Sequence, residues 1–205
     1  MRSATTILLI LSSESSKDKA LQQKNTWLTK LPESIIYFHV LGNPNLQNDF
    51  TFDDTEHTLY VKTKDDTISR PHKMISAFEA IYRTYNFKYI LKMDDAQMPL
   101  ADNFFQVMVD NLYSMVAPHY GGNIKTITTH TEYTNNPELP ASILLQATTY
   151  CTGRFYLLSS QAVASLLPNK TKIAREYLED YAIGLYLDAS YKKNAMLVKS
   201  DILFM

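Results

Sequence analysis

Cysteine is nearly absent: Cys151 stands alone among 205 residues. A single thiol excludes an internal disulfide framework and a cysteine-rich zinc site, and it is compatible with a reducing compartment. Glycine is scarce at five residues, and neither G-x-G-x-x-G nor G-x-x-x-x-G-K-[ST] occurs. A glycine-rich phosphate cradle is thereby excluded. No apolar run approaches the roughly 20 residues a bilayer requires. The best candidate, Ile7 to Leu11, reads as a buried first strand rather than a secretory signal, because Ser12 to Lys19 is polar without a convincing cleavage site. Charge of one sign is lacking too. The 20 Lys+Arg nearly cancel the 21 Asp+Glu, which argues against a nucleic-acid binder or a polybasic membrane-surface protein. The histidines His39, His57, His72, His119 and His130 show no H-x-x-x-H spacing; His39 reads as a strand residue and the others as surface or loop. Ser12-Ser13 and Ser159-Ser160 lack a G-x-S-x-G setting, so no serine hydrolase is indicated.

What is present is a chain that is 45% hydrophobic, enough to bury a core as one domain. Thr5–Leu11 is a continuous apolar run, the pattern of a strand covered on both faces. Ser15–Leu31 follows as a polar helix carrying Trp27. Ser34–Leu41 is a second buried strand closed by Gly42-Asn43-Pro44, and Thr58–Thr63 a shorter third. Ser69 and Pro71 open a helix whose apolar face is Met74, Ala77, Phe78, Ile81, Tyr82 and Tyr85. Phe87–Met93 is a strand ending in Asp94-Asp95. Asp102 opens another helix with Phe105, Met108, Leu112 and Met115 along one stripe. Thr126–Thr129 and two β segments around Cys151-Thr152-Gly153 follow, then helices near Gln161–Leu167 and Leu178–Leu187 and a last strand at Ala195–Val198. Alternating strands and helices predict an α/β fold with a mostly parallel central sheet flanked by helices. Such sheets bind ligands at the carboxyl ends of their strands, where Asp94 and Asp95 fall.

Two adjacent carboxylates at the mouth of a hydrophobic strand repel each other and resist desolvation. Two readings of the pair stand side by side: a solvated turn with a helix cap, or a site holding a metal, a ribose or a lysine.

Several segments resemble one family in the same order along nearly the whole chain. Lys24-Asn25-Thr26-Trp27 resembles an R-x-T-W segment. Asp65 to Lys73 resembles D-x-Y-x-N-L-T-x-K, with the same spacing. Tyr89–Asp95 resembles the strand entering a D-x-D motif. Tyr150–Ser159 resembles Y-x-x-G-x-x-Y-x-x-S, and Glu179-Asp180-Tyr181-Ala182-Ile183-Gly184 resembles E-D-V-x-x-G. The chain is therefore similar to GT-A type nucleotide-sugar glycosyltransferases, the β-1,3-galactosyltransferase and Fringe-like group, glycosyltransferase family 31. The resemblance implies a GT-A type nucleotide-sugar-binding sandwich spanning residues 1–205 as one domain. It also implies transfer of a sugar from a UDP-sugar donor to a hydroxyl of a glycan or glycoprotein acceptor, with inversion. By the same resemblance Asp180 is the candidate catalytic base, near the start of a helix whose dipole suits a carboxylate, with Glu179 the adjacent alternative. Asp94 and Asp95 would lie beside the ribose and the metal, Ser12 under the nucleotide, and Asp65, Lys73, Arg70, Gly153 and Arg154 around the donor. Tyr82, Tyr85, Tyr89 and Tyr186 would line the core, whereas Tyr120, Tyr133 and Tyr150 flank predicted loops and could stack on an acceptor sugar.

The sequence also departs from that pattern. Ala96 stands at the third acidic position, the usual Mn²⁺ ligand, and no histidine follows His130 to supply a second ligand after the E-D-V-like segment. Mn²⁺ would then be held only weakly through Asp94 and Asp95, or not used. If it is not used, Arg70, Lys73, Lys92 and Arg154 are the cations nearest by motif position. The alternative function is a catalytically impaired nucleotide-sugar or glycan-binding module of the same fold. With no signal or membrane segment, a cytoplasmic setting is expected, in a host cytoplasm if the protein is viral.

Overall fold

The computed structural model describes residues 1–114 and 117–205. Its strands are β1 (Arg2–Ser3), β2 (Thr6–Leu11), β3 (Ile35–Gly42), β4 (Phe50–Asp53), β5 (Thr58–Val61), β6 (Tyr85–Asn86), β7 (Tyr89–Asp94), β8 (Tyr120–Ile127), β9 (His130–Tyr133), β10 (Ser142–Leu145), β11 (Thr148–Ser159) and β12 (Met196–Leu197). Its helices are α1 (Lys17–Lys24), α2 (Arg70–Thr84), α3 (Phe104–Ser114), α4 (Ser160–Leu166), α5 (Lys170–Ile173), α6 (Glu179–Tyr186), α7 (Ala189–Lys192) and α8 (Ser200–Leu203). Among the described residues no helix is long and apolar enough to cross a membrane.

One sheet runs in the order β12-β8-β11-β7-β2-β3-β5-β4. Its heart is parallel, as the alternating pattern predicts: β2 pairs in parallel with both β3 and β7, and β3 with β5. The flanks are not. β4 pairs antiparallel with β5, and β11 antiparallel with β7 and β8. The short link between β4 and β5 permits only a hairpin, because parallel neighbours need a long crossover. The strand at Phe50–Asp53 is absent from the sequence reading, since its alternating FTFD carries no continuous apolar run.

The run TILLIL of β2 shows why the centre is parallel and covered. All six residues are buried. Ile7, Leu9 and Leu11 join the cluster that holds Met74, Phe78 and Ile81 of α2, whereas Leu8 and Ile10 join Trp27, Phe105 and Met108 on the opposite face. Alternate side chains of one strand thus feed two separate cores. Each fully buried aliphatic side chain stabilises the fold by about 1.5–3 kcal/mol.

Elsewhere packing overrides local pattern. The expected helix over Ser15–Leu31 stops at Lys24; Thr26 leaves helical geometry at φ −124° and ψ −107°, and Trp27–Lys30 forms a 3-10 turn. α1 has no apolar stripe to hold it on course, and the path is set by Trp27, which is buried and stacked on Phe105 at 5.5 Å. On α2, Tyr82 points outward and is 42% exposed, while Tyr85 leaves the helix for β6 and is buried. The predicted break around Cys151-Thr152-Gly153 is instead the middle of β11, marked by a register shift against β8 between Cys151 and Tyr156. Tyr120 and Tyr150 are core residues, not loop stackers, and only Tyr133 of that trio is exposed. Met115 lies outside the described residues.

The parallel strands end on one edge, so Leu11, Gly42 and Asp94 emerge together with the loops that follow them. His39 stands on β3 behind this edge, 2% exposed, with Nδ1 3.1 Å from the Ser12 hydroxyl. Burial, followed by the charges of Lys24 and His57, lowers its pKa to about 4. An unfolded histidine titrates near 6.5, so the unfolded chain binds the extra proton first as the pH falls. The stability from keeping His39 neutral is complete above pH 6.5 and is lost as the pH falls to about 4, a change of about 3 kcal/mol. In urea unfolding between pH 7 and pH 4, His39→Gln is expected to lose visibly less stability than the wild type.

Candidate active site

β7 delivers two charged side chains to the sheet edge. Its alternation places Lys92 inside and Asp94 at the mouth. Lys92 is fully buried, and its ammonium meets the Asp94 carboxylate at 2.8 Å, the Gly153 carbonyl at 2.7 Å and the Glu179 carboxylate at 2.8 Å. Three acceptors on one –NH₃⁺ use all its donors. Arg70, at the start of α2, donates from Nη2 to the same Asp94 oxygen at 2.9 Å. The other Glu179 oxygen accepts from the buried Tyr156 hydroxyl. Two cations and two anions therefore balance in this cluster.

The charge states follow from the geometry. Burial alone would lower the pKa of Lys92, but Asp94 and Glu179 more than offset it and the pKa lies above its ordinary value. Burial would raise that of Asp94, but Lys92 and Arg70 hold it below the usual carboxylate range. Glu179 goes the other way: burial, helped by Asp180 and Asp94, pushes its pKa up against the pull of Lys92.

Asp180 sits beside this cluster in a different environment. One oxygen accepts the Gly153 N–H at 2.8 Å and the other the Tyr181 N–H at 2.8 Å. α6 approaches β11 closely because Gly184 has no Cβ; one there would run into Tyr150. Gly153 is different, since an added Cβ would meet only Asp180 at ordinary contact distance. What Gly153 supplies is its backbone: its N–H holds Asp180 and its carbonyl holds Lys92.

A second brace lies at the ends of β2 and β3. Asp65 accepts from the Gly42 N–H at 2.9 Å, from the Glu14 N–H at 2.6 Å and from Lys73. Lys73 also donates to the Ser12 carbonyl at 2.8 Å and is almost wholly buried. Burial pulls its ammonium pKa down against the attraction of Asp65.

Two cavities open between these braces. The first, of about 220 Å³, is walled by Ser12, Ser13, Asp66, Thr67, Arg70 and Asp95, with Glu138 reaching in. The second, of about 270 Å³, is walled by Arg70, Asp94, Gly153, Arg154, Tyr177 and Asp180. Thr67 and Arg70 belong to both. The loop between β9 and β10 bridges them: Glu138 accepts the Thr67 N–H at 3.1 Å, while Asn136 and Leu139 face the second cavity.

Structure thus gathers Ser12, Asp65, Arg70, Lys73 and Asp95 around the first cavity, and Asp94, Gly153, Arg154, Glu179 and Asp180 around the second. Arg154 is turned aside, with Nη1 3.3 Å from the Phe204 carbonyl and Nε 3.9 Å from Asp201. Sequence reasoning did not single out Glu138, Thr67 or Tyr156. Tyr156 stands in the segment Tyr150–Ser159 as a second tyrosine, which was its one signal; nothing local marks Glu138.

The residues do not fit a resident divalent ion. One Asp94 oxygen already faces both Lys92 and Arg70, position 96 offers a methyl group, and among the described residues no three His, Cys, Asp or Glu side chains could hold a metal together.

Comparison with known proteins gives two findings. The galactosyltransferase family model matches residues 21–193. Among solved structures, a 4-diphosphocytidyl-2C-methyl-D-erythritol synthase is similar at 14% identity over 95% of this chain and 88% of its own, with a TM-score of 0.48. The Francisella tularensis 2-C-methyl-D-erythritol 4-phosphate cytidylyltransferase is similar at 13% identity over 96% and 92%, with a TM-score of 0.49. No curated protein matches the chain.

Lys92→Met would leave two carboxylates buried together without their shared cation. Breaking a buried pair in this way costs about 3–5 kcal/mol. At about 2–4 °C per kcal/mol for a chain of this size, thermal denaturation should show a Tm lower by roughly 10 °C. Adding Glu179→Gln to Lys92→Met is expected to recover part of that loss.

Proposed function

Because the chain belongs to the galactosyltransferase family, we propose that it transfers a sugar from a UDP-sugar donor to a hydroxyl of a glycan or glycoprotein acceptor, inverting the anomeric carbon. Glycosyl transfer follows from the family; the donor, the acceptor class and the stereochemistry are our reading of the site. The observation that carries it is the pair of cavities meeting at Arg70, with an anchored carboxylate, Asp180, in the wall of the second.

The first cavity suits the nucleoside. Ser12 and Ser13 form its floor, and Asp66 and Asp95 bring carboxylates that can accept ribose hydroxyls. Asp65 and Lys73 act on it indirectly, because their polar atoms hold Gly42, Glu14 and Ser12 in place. The second cavity suits the donor sugar and the acceptor hydroxyl.

Asp180 is the base in this reading. Two backbone N–H groups fix its orientation and leave lone pairs for an incoming hydroxyl. Glu179 is unsuited, being buried with both oxygens engaged by Lys92 and Tyr156. It positions instead: the Lys92 contact ties the start of α6 to the end of β7, and so sets Asp180 relative to Asp94. As the acceptor oxygen attacks the anomeric carbon, its proton passes to Asp180 and the bond to the diphosphate breaks on the opposite face, with the electron pair leaving on the phosphate oxygen.

Asp180→Asn keeps the shape and removes the base. UDP release from UDP-sugar with acceptor present should fall by about 10²–10⁴-fold, while UDP affinity stays within about twofold of wild type, since the residue does not face the nucleoside. Wild-type binding of UDP-sugars with no turnover on any acceptor would move the chain to the alternative, a nucleotide-sugar or glycan-binding module.

A further inference from the structure

The leaving diphosphate gains negative charge as the sugar departs, and something positive must meet it. The cations walling the two cavities are Arg70, Lys73 and Arg154. Lys73 is 2% exposed and committed to Asp65 and the Ser12 carbonyl. The Arg154 side chain is comparably exposed, at 36%, but it lines the second cavity alone and its guanidinium lies near the Phe204 carbonyl and Asp201. Lys92 is fully buried, with its three donors used. Arg70 is different. Its side chain is 39% exposed, it lines both cavities at their junction, and among the described residues its side-chain hydrogen bond runs from Nη2 to Asp94. That bond aims the planar fork and leaves further N–H donors for a phosphate.

The surroundings sharpen the demand. Asp66, Asp95 and Glu138 also face the first cavity, so an anion entering there is repelled unless a fixed cation receives it. Lys92 shares the Asp94 oxygen with Arg70, so Asp94 stays paired with a buried cation when the remaining Arg70 donors meet a phosphate. Position 96, beside this cluster, carries only a methyl group.

Building on the UDP-sugar reading above, we propose that the Arg70 guanidinium binds the donor diphosphate and stabilises it as the leaving group, in the role a divalent ion would otherwise fill, and that nucleotide binding by this chain does not depend on Mn²⁺. The bond from the anomeric carbon to the β-phosphate oxygen breaks, the electron pair stays on that oxygen, and Arg70 donates hydrogen bonds to the resulting UDP, while the acceptor proton resides on Asp180.

Calorimetric titration of the full chain with UDP and with UMP, each in EDTA and in excess Mn²⁺, tests this. Wild-type affinity for UDP should agree within about threefold between the two conditions. Arg70→Ala should weaken UDP on the order of 10- to 100-fold in EDTA, as expected for losing charge-assisted hydrogen bonds, and weaken UMP far less. Arg70→Lys, which keeps the charge but not the fork, should fall in between. A merely structural role for Arg70 would weaken both nucleotides alike, and that result would overturn the proposal. So would wild-type UDP binding that strengthens more than tenfold with Mn²⁺, although the donor reading would then survive. No binding of UDP in either condition would remove the donor reading itself, and this proposal with it.

Discussion

A single buried ammonium organises the site. Lys92 lies at the centre of the sheet with no solvent contact, and its three hydrogens reach three different pieces of chain: the end of β7 through Asp94, the middle of β11 through Gly153, and the start of α6 through Glu179. An unpaired charge in that position would be prohibitively costly. The fold therefore brings two carboxylates and a carbonyl to it, and the distance between strand end and helix start is set by that need. Asp180 inherits its place from this arrangement, because it follows Glu179 in sequence and is fixed by the N–H of the same Gly153 whose carbonyl serves Lys92.

The carboxylates near the edge have been given different work by their neighbours. Asp65 is saturated by two backbone N–H groups and Lys73 and acts as a brace. Asp94 is an electrostatic pivot between Lys92 and Arg70. Glu179 is sealed inside, under the Tyr156 hydroxyl. Asp180 is held by backbone alone and faces a cavity. Residue type does not separate these roles; burial and hydrogen-bond partners do.

Much of the parallel heart was legible in the residues. TTILLIL and SIIYFHVL are covered strands and could be little else, and the stripe Met74, Ala77, Phe78, Ile81 marks α2 without help from the structure. Where the pattern weakened, packing took over. α1 has no apolar stripe, so its length was settled by Trp27 finding Phe105. β11 runs through a segment that reads as a turn, because its neighbours β7 and β8 hold it in register on either side of an irregularity. Tyr120 and Tyr150 flank segments that read as loops but stand buried on β8 and β11.

The scarcity of glycine and cysteine settled the chemistry by exclusion: no glycine-rich phosphate loop, no disulfide frame, no cysteine-rich metal site. The ordered motifs then named about half of the residues that line the two cavities, those at strand ends and helix starts, which are local features written in local sequence. Tertiary structure alone decided which of those side chains remain available. Lys73, Lys92, Arg154 and Arg70 are indistinguishable as cations on paper. Only the fold commits the first three to Asp65, to a buried cluster and to the C-terminal segment, and leaves Arg70 at the junction of two cavities, because a hydrogen-bond partner distant in sequence cannot be read from sequence spacing.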